Sequence, residues 1–316
     1  MFDALVDVRA IHFASTAMVA GSVVFRSFIG QPSLGRACVL PDARAYRRHV
    51  DRMVWIGLIV AFVSGALWLV LLAKDISGQT WPELFSNDDV SVVLTATQFG
   101  RVWTARFALA LLLCLALLSG GKDASGRRGL LTCSIAALLM GSLAWSGHAG
   151  GTPGWVGVIH RGSDVLHLVA AAAWWGGLLP LALILRLARG SAEPTLACVA
   201  RTAASRFSTL GMASVATLLA TGIVNSWALV GNLRALVETQ YGLLLFAKVG
   251  LFALMVGVAA INRFRLAPML PDANASRSLQ RNALIEFALG LIVIAIVGAL
   301  GTLAPAVHEE MHLHAH

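Results

Sequence analysis

The chain has 316 residues, 58% of them hydrophobic and only 13% charged, with a formal net charge of +8. That balance excludes an ordinary soluble domain. The positive excess is spread along the chain as a topology signal and is not a nucleic-acid patch, and the absence of a G-x-x-x-x-G-K-[ST] loop argues against built-in ATP use.

Apolar runs of roughly twenty residues recur, each long enough to cross a hydrocarbon core of about 30 Å. Eight helices are expected, over about 8–29, 53–73, 98–118, 129–147, 164–186, 207–230, 241–262 and 283–304. Glycines and other small residues inside them suit helices packed against one another in lipid. The expected fold is an all-α, polytopic membrane bundle spanning 1–306, followed by a short polar tail over 307–316. No A-x-A-like site follows the first run, which is expected to be retained as a helix.

Charge orients the bundle. Loops after helices 1, 3, 5 and 7 carry Arg44, Arg47, Arg48, Lys122, Arg127, Arg186, Arg189, Arg263 and Arg265. The opposite side holds Arg9, Lys74, Arg101, Arg161 and Arg234, with an acidic segment at Glu83, Asp88 and Asp89. The positive-inside rule makes the first set cytoplasmic and both termini periplasmic. Of the histidines only His49 then falls inside, and the chemistry is expected at the outer face.

In chain order, helix 1 carries His12 and, nine residues on, Gly21. Helix 5 repeats that spacing with His167 and Gly176. Helix 3 opens Thr97-Gln98-Phe99-Gly100 with Arg106 six residues after the glycine, and helix 7 opens Thr239-Gln240-Tyr241-Gly242 with Lys248 at the same distance. These matches imply a tandem repeat of four plus four helices, about 1–150 and 151–306, related by a pseudo-two-fold along the membrane normal. Arg106 and Lys248 lie roughly 12 Å inside their helices at 1.5 Å per residue. A cation at such depth costs about 2.5–3.5 kcal/mol unless paired or hydrated, so both are expected to line a polar vestibule. Snorkelling to the headgroups is the alternative for Lys248.

The densest chemistry runs from Trp145 to Leu178, where His148, His160, Asp164 and His167 fall within twenty residues. If 160–167 is helical, positions 160, 164 and 167 share one face, and two imidazoles with a carboxylate make a metal-binding rim. The alternative has Ser163 or Asp164 capping helix 5 and His160 in the preceding loop. Nearer the cytoplasm, Asn262 and Glu286 form a polar cluster that fits either a clamp or an exit site. The tail holds His308, Met311, His312, His314 and His316, a composition suited to auxiliary binding of copper, zinc or nickel. Cys38, Cys114, Cys133 and Cys198 form no C-x-x-C pair, so no thiolate relay is indicated.

Taken together, S-G-H148-A, H160…D164-x-x-H167, W174-x-G-G-L178, R206-F-S208, T221-G222, Y241-G242 with K248, N262-R263, E286 and Pro305 resemble the CopD/PcoD copper-resistance family of bacterial inner-membrane proteins. The resemblance implies a non-enzymatic protein that binds copper, receives it at the periplasmic face and moves it across the inner membrane. It also implies a separate periplasmic CopC-like partner. The expected copper ligands are drawn from His148, His160, Asp164 and His167, with His12 completing the set from helix 1. Two alternatives remain at this stage: a b-type haem protein, and a periplasm-facing copper sensor or receptor without translocation.

Overall fold

The computed structural model describes residues 4–78, 80–86, 89–119, 126–147, 150, 154–191, 193–230 and 234–305. Among these there is no strand, and eight helices are long and apolar enough to span a bilayer. They are α1 (Ala4–Leu34), α2 (Pro41–Ser77), α3 (Gln98–Ser119), α4 (Gly126–Ser146), α5 (Gly154–Gly190), α6 (Pro194–Val230), α7 (Gln240–Met269) and α8 (Ala273–Leu300). The acidic stretch between α2 and α3 forms two short helices, Trp81–Ser86 and Asp89–Ala96.

Several helices outrun the hydropathy pattern. Helix α2 begins at Pro41 rather than 53, α5 at Gly154 rather than 164, α6 at Pro194 rather than 207, and α8 at Ala273 rather than 283. The reason is that arginines and glycines interrupt an apolar run without interrupting backbone hydrogen bonding. At 37 residues each, α2, α5 and α6 are about 55 Å long, well beyond a 30 Å core. At the arginine-rich end the first turns of α2 are tied to α5 and to α1. Ser191 donates to Asp42 at 2.9 Å, Tyr46 to the Pro180 carbonyl at 3.3 Å, and Arg26 pairs with Asp51 at 2.9 Å.

Helices α1 and α5 are the centre of the bundle. Their most apolar windows are 67% and 72% buried, against 11% for α7. They cross at Gly21 and Gly176, and the contact is reciprocal. A Cβ on Gly21 would run into the Ala172 carbonyl oxygen, and one on Gly176 into that of Ala17. Only glycine on both sides allows backbones this close. The crossing also breaks α5, which ends one α-helical stretch at Trp175 and starts the next at Leu178. Pro180 has no N–H to give the Gly176 carbonyl. The Ser22 hydroxyl of α1 reaches that carbonyl at 3.4 Å instead.

The outer helices follow a matching pattern. Helix α2 packs on α1, and α6 on α5. At Gly141, α4 faces Val165 of α5; at Gly298, α8 faces Val6 and Ala10 of α1. The T-Q-[aromatic]-G stretches prove to be helix starts. Thr97 Oγ1 accepts from Gly100 N at 2.9 Å, and Thr239 Oγ1 from Gly242 N at 2.9 Å. Each threonine thus caps a helix end whose N–H groups would otherwise lack partners.

Candidate metal-binding site

Because α5 starts at Gly154, His160, Asp164 and His167 all lie inside one helix and share a face. The capping alternative does not hold. Ser163 is buried in mid-helix and donates across to the Thr221 carbonyl of α6 at 3.2 Å. His160 is buried, whereas Asp164 and His167 are half-buried. His148 lies outside the described residues, as do His308, Met311, His312, His314 and His316. Among the described residues, no three His, Cys, Asp or Glu side chains gather closely enough to hold one ion between them.

Helix α6 supplies the partners that orient this face. Thr221 Oγ1 donates to the Thr217 carbonyl at 2.6 Å, so its lone pair accepts from His167 Nδ1 at 2.9 Å. That hydrogen bond places the ring proton on Nδ1 and leaves the Nε2 lone pair as the available donor atom. Asn225, one turn further along α6, donates to Asp164 Oδ1 at 3.3 Å. Its own Oδ1 is buried with no hydrogen-bond partner. Lys248 of α7 is half-buried and interacts electrostatically with both Asp164 and His167. Among the described residues it makes no ion pair with Asp164.

His12 sits elsewhere, in the first half of the bundle, facing α2 and α3. Arg106, buried at 2% exposure, donates Nη2 to His12 Nε2 at 2.6 Å. A guanidinium has no acceptor to offer. His12 is therefore neutral with its proton on Nδ1, which points at the Ala61 carbonyl at 2.9 Å and Ser64 Oγ at 3.1 Å. The other nitrogen of the fork, Nη1, holds the Leu139 carbonyl at 3.1 Å and Ser142 Oγ at 2.6 Å. Trp68 and Trp103 close the imidazole in, with ring centroids 5.7 and 5.1 Å away. The cost of burying Arg106 is offset by these three acceptors and by the Trp103 face at 5.1 Å.

A second polar cluster lies where α7 winds as a π-helix over Asn262–Leu266. Glu286 of α8, buried at 2% exposure, accepts from Asn262 Nδ2 at 2.6 Å and from the Trp174 side chain. Asn282 donates to Asn262 Oδ1 at 2.8 Å, and Arg263 turns to Ser208 at 2.6 Å. Glu286, Asn262, Trp174, Arg263 and Ser208 border a cavity of about 190 Å³ whose remaining walls are mostly apolar. Thr221, Asn225, Asn282 and Trp174 were not among the expected site residues. The sequence signals in α6 were R206-F-S208 and T221-G222, which entered only among the motifs that carry the family resemblance.

Eight membrane-length helices with ionisable side chains turned into the bundle define a multi-pass membrane protein with polar sites in its interior. Residues 1–158 match the model of the copper resistance protein D-like N-terminal domain, and residues 201–300 that of copper resistance protein D. The chain belongs to the copper resistance protein D family. It is 31% identical to copper resistance protein D of Pseudomonas syringae pv. tomato over 228 residues, covering 70% of this chain and 73% of that one. It is 30% identical to inner membrane protein YebZ of Escherichia coli K12 over 302 residues, covering 95% and 98%. Against the copper transport protein CutJ of Bacillus subtilis it is 30% identical over 220 residues, 68% of this chain and 38% of that protein. No solved structure matches. The chain is thus a copper-related, multi-pass inner-membrane protein.

Proposed function

We propose that the protein binds copper at the periplasmic end of the bundle, opposite the arginine-rich loops, and carries it across the inner membrane without catalysing a reaction. The observation that carries this reading is the α5 face. His167 is oriented by Thr221 with its Nε2 lone pair left over, and Asp164 is held by Asn225 one helical turn away. A ligating histidine whose other nitrogen is fixed by a hydrogen bond is the usual arrangement at metal sites. Neutral imidazole suits copper and needs little deprotonation near pH 7.

His160 and His148 complete the receiving cluster, whereas His12, whose Nε2 is held by Arg106, stands apart from it. Lys248 keeps the cluster from becoming a closed cage, which favours release. Asn262 and Glu286 form the polar step toward the cytoplasm. The His-rich tail collects copper before it enters, and a CopC-like protein delivers it. The matching contacts at Gly21 and Gly176, and at Gly141 and Gly298, support a four-plus-four repeat; the arginine-rich loops support placing both termini in the periplasm.

Copper uptake by proteoliposomes tests the reading. Well-folded His148→Ala, His160→Ala and His167→Ala proteins should each lose uptake and bind copper more weakly. Parent-like behaviour in all three would overturn the site, and a Soret band in purified protein would favour haem over copper.

A further inference from the structure

The two histidines that occupy matching places are built into the same hydrogen-bonding frame. His12 meets Ser64 at 3.1 Å and His167 meets Thr221 at 2.9 Å, in each case through Nδ1. Both hydroxyls turn back on their own helix at 2.6 Å, Ser64 to the Val60 carbonyl and Thr221 to that of Thr217. A glycine follows each, and its missing Cβ faces the imidazole Cε1, at 3.1 Å for Gly65 and 3.9 Å for Gly222. Arg106 matches Lys248 in position after the capped glycine.

Arg106 and Lys248 keep a cation in both halves, but the residues beside the frame differ. Three residues before the histidine stands Arg9 in one half and Asp164 in the other. Four residues after the hydroxyl stands Trp68 against Asn225. Arg9 lies over the Trp68 ring at 4.6 Å, while Asn225 donates to Asp164 at 3.3 Å. Arg106 reaches the imidazole Nε2 at 2.6 Å, and no hydrogen bond is made to Nε2 of His167 among the described residues.

We infer that the two halves carry one metal-competent site and one closed copy of it: in the first half the Arg106 guanidinium occupies the place on His12 Nε2 that a metal ion would take, and in the second half that place is open and has gained Asn225 Oδ1 as an extra oxygen donor. The inference rests on the copper reading above. Arg106 cannot step aside cheaply, because its other nitrogen holds the Leu139 carbonyl and Ser142. Arg9 adds a second fixed positive charge in the same half, and no carboxylate offsets either one there among the described residues. The buried, unpartnered Asn225 Oδ1 is the reverse case, an acceptor waiting for a cation.

The test uses the full-length protein in detergent, titrated with cuprous ion in competition with bicinchoninate. H12Q keeps an acceptor for Arg106 and a donor for Ala61, and its copper affinity should stay within about twofold of the parent. H167Q should bind at least about tenfold more weakly, the loss expected for a ligand or its support, and N225L should follow in the same direction. A tenfold loss in H12Q overturns the inference and leaves the copper reading standing. An unchanged H167Q overturns the copper reading and the inference with it. The parent protein gives an independent measurement, carbethoxylation by diethyl pyrocarbonate mapped by mass spectrometry. Bound copper should protect His167 and leave the reactivity of His12 unchanged; protection of His12 overturns the inference.

Discussion

The α5–α6 cluster and the Glu286 cluster are both polar islands in an apolar bundle, yet they offer different chemistry. The first presents imidazole nitrogen beside carboxylate and amide oxygen, from His167, Asp164 and Asn225. The second has oxygen acceptors alone among the described residues, those of Glu286, Asn262 and Ser208, and the donors around them are amides, an indole and the Arg263 guanidinium. Nitrogen ligands hold copper far better than a lone carboxylate does. On the reading proposed above, a bundle arranged this way would grip the ion at one end and have little to retain it with at the other. Release on that reading requires no moving ligand, only a second station poorer in ligands than the first.

The comparison can be broken most completely at the crossing that positions both clusters. Gly176→Leu forces a side chain into the Ala17 carbonyl and should remove nearly all folded protein, as read by size-exclusion of a fluorescent fusion. Gly250→Leu, where nothing lies within 4 Å of an added Cβ, should fold normally. Next in size, Asp164→Asn should weaken copper binding by roughly tenfold to a hundredfold, while Glu286→Gln leaves binding within about twofold. In proteoliposomes the order shifts: Glu286→Gln, with normal binding, should slow uptake about tenfold. Parent-like uptake in that variant would reduce the inner cluster to a clamp.

Thr221→Val removes only the acceptor that orients His167, and should cost about tenfold in affinity. The smallest effect belongs to the tail. Truncation after Pro305 should lower copper capture at limiting metal by about twofold and leave one bound ion, measured by elemental analysis. Loss of all bound copper would make the tail the sole site.

The spans were legible because a run of twenty apolar residues has few other uses, and Gly21 and Gly176 could be matched by their spacing from histidine. The start of α5 was not. In Gly154–Asp164 a helix needs no apolar continuity, and its glycines and charged residues read equally well as a loop. The depth of Arg106 was legible from its place in α3, but its partner was not, because His12 lies 94 residues away and nothing local links the two. Thr221 was missed for a related reason. A threonine followed by glycine in an apolar helix looks like packing until a neighbouring helix brings an imidazole to its oxygen. The T-Q-[aromatic]-G stretches could be seen as a repeated pattern, yet their meaning as helix caps appeared only with Gly100 and Gly242 pointing their N–H groups at the threonines.

The cavity beside Glu286 has one wall that the polypeptide does not finish. Helices α6 and α7 scarcely touch, and two of its lining residues, Met212 and Phe264, are 44% and 73% exposed. In a bilayer, acyl chains would cover that side, as a gasket covers a valve. On the proposed reading, the amphiphile surrounding the protein would then be a component of the inner station. Uptake measured in short-chain and long-chain lipids should differ for this reason even where copper binding at the other end does not.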